Sequence, residues 1–525
     1  MALIAVSISV EEPALVAEVL ELAQLAGDRG ASLVEWRVDE LGLSEAGHEA
    51  CQVLVRESPL PCILTCRHEC EGGAFDGNES QRASLFDSLI ETNAIPRYVD
   101  IESARWAGSP ELRESVRRLL TTGDCGLILS THDFEGRPDD LARRVDSMRA
   151  EPEVNVVKVA WSARSIRDSM EAFDLLRESA GPTITICMDR FGVITRILAG
   201  KFGGLLTFAV LDGQSGTAPG QPTLTELQER YRFGDIGAAT KVYGILGDPV
   251  AHSLSPLIHN AAFRRVDHDA VLVPMPVVDG WESFKASVAT MLDQPSLDLA
   301  GLCVTAPHKE NLLRFVQEQG GTIADSAMSA GAANTLVIQS DGGLVADNTD
   351  VHGIISPLQD VISLEGVRVA ILGAGGAARA AASGLLAAGA EVVIFNRTRE
   401  RAEHLVSAMK AEDAGSRIEV GSGGPLATDR FQVIINTTSL GMEGGPDASA
   451  SPLEALGGEH ESLAEGVILF ETVYAPRETP LVQEAIQRGA VVITGDRMFL
   501  AQAAQQFKRW TGHDAPMEQW QNLLG

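Results

Sequence analysis

Short apolar runs alternate with amphipathic stretches at a steady interval through roughly the first 230 residues. Eight runs read as strands: residues 3–8, 33–38, 62–66, 98–101, 126–130, 156–160, 183–187 and 205–210. Their starts recur every roughly 22–36 residues, the length of one strand-plus-helix unit. Helical periodicity fills many of the gaps, as over 13–27 and 165–179. Eight such units predict a closed parallel (β/α)8 barrel, with an open doubly wound sheet as the alternative. A Pro/Gly stretch at 217–222 and a helical segment at 223–232 end this half, and a new strand begins at 241. The boundary is expected near 233–240.

The second half continues as an α/β pattern to about residue 345. A strand over 367–372 then runs into Gly373-Ala374-Gly375-Gly376-Ala377-Ala378, an Ala-rich helix over 380–388, and another strand over 391–395. G-x-G-x-x-A between a strand and a helix is a dinucleotide signature: its glycines permit a tight turn and close approach of a pyrophosphate to the helix N-terminus. The end of the following strand reads Asn396-Arg397-Thr398, with Arg401 beyond. NAD-binding folds present a carboxylate there for the ribose hydroxyls. Arginine without a carboxylate suits a 2′-phosphate, so NADP is the expected cofactor.

Composition narrows the picture. The chain has 525 residues, too many for one ordinary core, with 45% hydrophobic and 22% charged residues. No apolar run approaches the roughly 20 residues that span a bilayer. The N-terminus lacks a basic segment and a cleavage site, so no signal peptide is expected. Seven cysteines scattered over a large chain point to a reducing compartment, the cytoplasm. Cys62, Cys66 and Cys70 lack the usual metal spacings and are expected to be buried structural thiols; no metal is predicted. A net charge of −30 argues against nucleic acid and anionic membranes as partners and leaves small molecules. The oligomeric state is left open, a monomer included.

Against that charge, ionisable groups gather at the C-terminal ends of the predicted strands, where barrels carry their chemistry. Glu35, Arg37 and Asp39 end the second strand, Arg67 the third (with Glu71 in the loop beyond), Glu102 the fourth, and His132 and Asp133 the fifth. Lys158 lies inside the sixth, flanked by Val156-Val157 and Val159-Ala160, and is the only lysine in the first 200 residues. An unpaired ammonium in apolar surroundings is costly and neutralises. Lys158 is therefore expected to be a neutral amine that attacks a carbonyl.

With these motifs in place the first half resembles type I 3-dehydroquinate dehydratase and the second resembles shikimate dehydrogenase. Together they are similar to the plant-type fusion of the two. The resemblance rests on Glu35-Trp-Arg37-Val-Asp39, Arg67-x3-Glu71-Gly-Gly, Thr131-His132-Asp133-Phe134, Lys158, Gly192-Val-Ile-Thr-Arg196 and Ala218-Pro-Gly-Gln221. In the second half it rests on His252-Ser253-Leu-Ser255-Pro256, Val304-Thr305-x-Pro-His-Lys309, Ala333-Asn334-Thr335, Asp347-Asn-Thr-Asp350, Asn396-Arg397-Thr398 and Met498-x3-Gln502. It implies a TIM barrel followed by a two-domain α/β dehydrogenase with a Rossmann NADP-binding domain. The implied domains are 1–232, 240–347 with 496–525 returning to it, and 348–495. It also implies consecutive shikimate-pathway steps: Schiff-base dehydration of 3-dehydroquinate, then NADPH-dependent reduction of 3-dehydroshikimate to shikimate.

In the first site the resemblance makes Lys158 the imine-forming residue and His132 the general acid/base, with Glu71 orienting His132 and favouring its charged form. Arg196 grips the substrate carboxylate, and Glu35, Arg37, Arg67, Thr217 and Gln221 bind hydroxyls. In the second site Lys309 and Asp350 form the catalytic pair. Ser253 and Ser255 bind the carboxylate, and Thr305, Asn334, Tyr474 and Gln502 the rest of the substrate; Gly495 joins the cofactor-binding set. The alternatives kept are a quinate bias in the second half and a catalytically silent, metabolite-sensing regulator.

Overall fold

A computed structural model describes residues 2–421, 428–456 and 463–524. Strands β1 (Leu3–Ser9), β2 (Leu33–Arg37), β3 (Cys62–Thr65), β4 (Tyr98–Glu102), β5 (Gly126–Asp133), β6 (Val154–Ser162), β7 (Thr183–Met188) and β8 (Leu206–Ala209) form one sheet in the order β7-β6-β5-β4-β3-β2-β1-β8. Every pairing in it is parallel. Among the described residues the seam between β7 and β8 is joined by a single backbone hydrogen bond, Leu205 N to Thr183 O at 3.0 Å. The sheet is thus a nearly closed barrel rather than an open doubly wound sheet.

Strand alternation sorts each β6 side chain to one of two layers. Val157 and Val159 join the cluster between the strands and the surrounding helices. Val156 and Ala160 join the cluster inside the barrel, with Ile128, Ile184 and Phe208. Lys158 lies between them in register and so points inward. Its immediate sequence neighbours therefore say nothing about the polarity of its surroundings.

Strands β9 (Lys241–Gly247), β10 (Ala270–Pro276), β11 (Leu299–Val304), β12 (Thr322–Ile323), β13 (Thr335–Ile338) and β14 (Leu344–Asp347) make a second, mixed sheet in the order β10-β9-β11-β13-β14-β12. Strands β15 (Arg368–Leu372), β16 (Glu391–Phe395), β17 (Ile418–Val420), β18 (Val433–Asn436), β19 (Ile468–Glu471) and β20 (Val491–Ile493) make a third, in the order β17-β16-β15-β18-β19-β20. Its pairings are all parallel, the doubly wound arrangement of dinucleotide-binding sheets.

The barrel and the second sheet share one apolar cluster. The segment joining them is pinned by the buried Lys201, whose Nζ donates to Ala238 O at 3.0 Å and Thr240 O at 2.7 Å. Arg190 reaches Asp248 across the same junction at 2.5 Å. The helices Gly495–Thr511 and Met517–Leu524 pack on the second sheet, where Phe507 and Trp520 meet Phe263 and His259 in an aromatic cluster. Among the described residues no helix is long and apolar enough to cross a membrane.

Trp520 is fully buried in that cluster. Trp520→Ala is expected to destabilise the second sheet by about 3–5 kcal/mol, the usual range for a large aromatic removed from a core. Denaturant unfolding followed by tryptophan fluorescence checks it; an unchanged midpoint would mean the terminal helix contributes little.

Candidate active sites

The mouth of the barrel holds a cavity, and every residue predicted for the first site lines it: Glu35, Arg37, Arg67, Glu71, His132, Lys158, Arg196, Thr217 and Gln221. Strand ends supply most of them, and the segment 217–222 lies across the opening. Gly220 lets that segment settle: at φ +71° it lies so close to Asp189 that a Cβ there would sit 2.6 Å from the Asp189 carbonyl oxygen. Thr217 N and Oγ1 donate to Gln221 Oε1 at 3.0 and 3.4 Å, which fixes the amide of Gln221.

Lys158 corrects the sequence reading. Its Nζ donates to Asp100 Oδ2 at 2.8 Å, stands 3.9 Å from Glu35 Oε1, and lies 4.5 Å from the centre of the Phe208 ring. The expected unpaired amine in dry surroundings is in fact one half of a buried ion pair. Asp100 is fully buried on β4; Arg67 donates to its other oxygen at 2.7 Å and Ser130 at 2.6 Å. Burial opposes its ionisation, but Arg67 and Lys158 outweigh burial and hold the carboxyl well below the usual range. Glu35 accepts from Ser7 Oγ at 2.5 Å and Thr65 Oγ1 at 2.9 Å.

His132 Nδ1 and its backbone N both meet Glu71 Oε2, at 3.0 and 2.9 Å. Nε2 makes no hydrogen bond among the described residues. The geometry orients the ring, but the electrostatics overturn the expected charged form. Burial first, then the cations Arg67 and Lys158, push the imidazole well below its ordinary pKa. Glu71 moves the other way: burial lifts it to about 7, with Arg67 opposing. A neutral imidazole beside a carboxyl that titrates near neutrality can pass a proton in either direction.

The four arginines nearest the cavity are not equivalent. Arg37 is chelated by Asp39 at 2.7 and 3.3 Å. Arg67 serves Asp100, Glu102 and Ser130, and Arg82, behind it, pairs with Glu102 and Glu79. Glu102, read from sequence as a residue of the mouth, belongs to this supporting network. Arg196 differs. It is buried, its Nε has no partner, and among the described residues no carboxylate pairs with it; its one recorded hydrogen bond is a long one, 3.5 Å to Pro219 O. Burial lowers its pKa to about 10, with only Cys187 and Asp189 opposing. A buried guanidinium in a cavity wall with no internal anion is a receptor for an external one.

The second site lies where β11, the turn before β13 and the end of β14 converge. Lys309, the first residue of the helix Lys309–Glu318, hydrogen-bonds Asp350 in the first turn of the helix Thr349–Gln359. Asn334 Nδ2 donates to the other Asp350 oxygen at 2.9 Å, while Asn334 Oδ1 accepts from Thr335 Oγ1, Thr349 N and Thr349 Oγ1. Gln502 Oε1 takes a further bond from Thr349 at 3.4 Å. Ser255 is buried at the start of the helix Ser255–Arg265, and Ser253 Oγ caps its backbone N. Thr305 is half-buried just after β11, and Tyr474 is partly exposed, stacked on Phe499 at 5.2 Å.

Beside this site the signature turn opens the helix Gly376–Ala387. Gly373 has φ +116°, and a Cβ on Gly375 or Gly376 would meet nothing within 4 Å, so the backbone there stands open between Ala374 and Ala377. A cavity at the end of β16 is lined by Asn396, Arg397, Arg399 and Gly421, and among the described residues no carboxylate lines it. Arg401, preferred from sequence, is exposed and outside that lining; Arg399, not foreseen, is in it. Thr398 is exposed and its carbonyl accepts from Asn396 Nδ2 at 2.7 Å. Gly495 packs so tightly that a Cβ would lie 2.2 Å from Val473 O.

Sequence profiles match four segments of the chain. The type I 3-dehydroquinase profile matches residues 4–237. The shikimate dehydrogenase substrate binding domain matches 245–336, shikimate/quinate 5-dehydrogenase 358–419, and the shikimate 5′-dehydrogenase C-terminal domain 497–519. The bifunctional 3-dehydroquinate dehydratase/shikimate dehydrogenase, chloroplastic, of Arabidopsis thaliana is 36% identical over 519 residues, covering 95% of this chain and 81% of that one. The chain belongs to this bifunctional family. Its dehydrogenase half is also 39% identical over 296 residues to the shikimate dehydrogenase (NADP(+)) of Methanothermobacter thermautotrophicus, covering 55% of this chain and 97% of that one.

Sequence reasoning missed Asp100, Ser130, Ser7 and Phe208 around the dehydratase lysine. The available signal was a second charge, Asp100, inside an apolar strand two strands away. Cys62 and Cys66 are buried as expected; Cys70 is exposed, with Arg105 Nη2 3.2 Å from its sulfur.

Glu71 has a stability consequence. Its folded pKa of about 7 lies above the ordinary glutamate value of 4.5, so the folded state binds more protons between these pH values and stability falls as pH rises through that window. Glu71→Gln is expected to equal the parent near pH 4 and to exceed it by about 1–3 kcal/mol at pH 8. Denaturant unfolding of the barrel at both pH values checks this; a variant less stable at pH 8 would contradict the shift.

Proposed function

We propose that this chain dehydrates 3-dehydroquinate to 3-dehydroshikimate in the barrel and reduces that product to shikimate with NADPH in the second half. The observation that carries the reading is Arg196: a buried cation without an internal anion, in the same cavity as an amine and an oriented imidazole. A cyclic keto-acid supplies the missing carboxylate and offers its ketone to Lys158. The protonated imine then withdraws electrons from the neighbouring carbon, His132 removes the proton made acidic there, and the same imidazole protonates the departing hydroxyl. Glu71 orients His132 throughout, and Glu35, Arg37, Arg67, Thr217 and Gln221 surround the ring hydroxyls.

In the second half the open Gly375–Gly376 turn and the pocket of Asn396, Arg397 and Arg399, which no carboxylate lines among the described residues, fit a dinucleotide bearing a 2′-phosphate, with Thr398 and Arg401 at its edge. Bound NADPH supplies hydride to the ketone carbon. The chain's own task is the proton: Lys309 and Asp350, hydrogen-bonded as a unit, deliver it to the carbonyl oxygen, and Asn334 fixes the carboxylate. Ser253, Ser255, Thr305, Tyr474 and Gln502 orient the substrate. The reading divides the chain into a barrel (1–232), a substrate-binding domain (240–347, with 496–525) and a cofactor domain (348–495). It assigns the chain to the cytoplasm on its seven unpaired thiols. A silent sensor finds no support, because both sets of reacting groups are assembled.

The two activities are expected to separate by mutation. Lys158→Ala abolishes dehydration and leaves reduction of 3-dehydroshikimate intact; Asp350→Asn does the reverse; His132→Ala lowers the dehydration kcat by about 10²–10⁴-fold. Product analysis with and without NADPH checks this, and dehydration surviving in Lys158→Ala would contradict the imine. Charge-assisted bonds from arginine are expected to favour NADPH over NADH by about 10- to 100-fold in kcat/KM; equal use of both would contradict the assignment.

A further inference from the structure

The dehydratase reading leaves one buried group without a task. Asp100 touches the reacting nitrogen, yet it is absent from the wall of the substrate cavity. We propose that Asp100 is a further catalytic residue of the dehydration, the permanent counter-ion of the Lys158 nitrogen in both its ammonium and its iminium form. This rests on the imine reading above and goes beyond it.

The charge arithmetic of imine formation supports the assignment. The resting ammonium gives one proton to His132. The freed lone pair forms the C–N bond to the ketone carbon, the carbonyl π bond breaks toward oxygen, and one proton passes from the attacking nitrogen to that oxygen to make it a hydroxyl. That C–O bond then breaks, and water leaves with the proton that His132 returns. One cation has replaced another on the same nitrogen, and its anion need not move. Removal of the ring proton neutralises the nitrogen as an enamine, and loss of the hydroxyl, protonated by His132, restores the iminium. An electron sink of this kind works only while its nitrogen stays protonated, and a carboxylate in contact favours that form.

The geometry selects Asp100 over the other groups that face the nitrogen. Glu35, from β2, is 3.9 Å away and already accepts two hydroxyl bonds. From the β8 side comes the Phe208 ring, and Ile184 and Ile186 on β7 are uncharged. The cations Arg67, Arg37 and Arg196 and the Glu71–His132 pair share the cavity. Among the described residues only Asp100 is in hydrogen-bond contact, at 2.8 Å. Its second oxygen is shared by Arg67 and Ser130. That sharing tempers its hold on the nitrogen, so that the enamine remains within reach.

The test measures kcat and KM against pH for the full-length protein and for Asp100→Asn, Asp100→Glu and Ser130→Ala. Each is also treated with borohydride and 3-dehydroquinate, and the Lys158 peptide is weighed. Removing an anion lowers the pKa of a neighbouring cation, so in Asp100→Asn the alkaline limb of kcat moves down by about 1–3 pH units. At a pH above the displaced limb kcat falls by about tenfold per unit, while KM changes less because Asp100 does not line the substrate cavity. Asp100→Glu keeps the charge and restores the limb. Ser130→Ala removes one of the donors that temper Asp100, so the limb moves upward if it moves at all, opposite to Asp100→Asn, which a purely structural role for Asp100 does not predict. If Asp100→Asn loses native circular dichroism, Asp100→Glu decides alone: a retained limb supports the proposal, a displaced one overturns it. A Lys158 adduct in the parent together with an unmoved limb in folded Asp100→Asn overturns the counter-ion and spares the imine. No adduct in the parent overturns both.

Discussion

The interior of the barrel must hold several ionised groups out of water, and the dehydratase site follows from how their charges are balanced. A buried ion is tolerable only when paired and hydrogen-bonded. Asp100 answers Lys158 and Arg67, Glu102 answers Arg67 and Arg82, and Asp39 answers Arg37. Ser7, Thr65 and Ser130 supply hydroxyl donors to the carboxylates. Arg196 is left over. The imbalance is local and specific: one guanidinium in the wall of a cavity, with no carboxylate paired to it among the described residues. It also answers the difficulty posed by a net charge of −30, because a strongly acidic chain can bind an anion where its own carboxylates are kept away.

The same balance sets the protonation of the reacting groups. Burial and then the cations near His132 hold its imidazole well below its ordinary pKa, while burial brings Glu71 to titrate near neutrality. The lysine is not activated by dryness. Its nitrogen is in contact with the buried carboxylate of Asp100, and the imidazole of His132 lines the same cavity. In the dehydrogenase half the logic is more economical: one ammonium, one carboxylate, and an asparagine whose oxygen is fixed by three donors so that its amide can face Asp350.

Much of this was legible in the chain itself. Strand spacing alone located all eight barrel strands to within a few residues, because each β/α unit needs about the same length and apolar strands stand out against amphipathic helices. Lys158 was legible because lysine is scarce here. Its environment was not, because Val157 and Val159 face the helices, whereas the partner that matters comes from β4, 58 residues earlier. Parallel strands bring together residues that no local window contains, so Asp100 was passed over and Glu102, two residues on, was given a place at the mouth. The single hydrogen bond at the β7–β8 seam was equally invisible, since closure depends on stagger rather than on composition. In the second half the glycine signature and the missing carboxylate after β16 were readable. Lone residues such as Ser253 or Asn334 gained meaning only from resemblance. Arg399, which the motif did not single out, opens the helix Arg399–Glu412 and reaches back to Gly421 O at 3.1 Å, a contact set by helix phase.

The central claim is that Lys158 carries the substrate covalently while Arg196 holds its carboxylate and Asp100 its nitrogen. A crystal structure of the protein reduced by borohydride in the presence of 3-dehydroquinate tests all three contacts at once. The account predicts unbroken density from Lys158 Nζ into the ring, the ring carboxylate paired with both terminal nitrogens of Arg196, and Asp100 within hydrogen-bond distance of the new secondary amine. A ligand lying free of Lys158, or attached to it with its carboxylate turned away from Arg196, would contradict it.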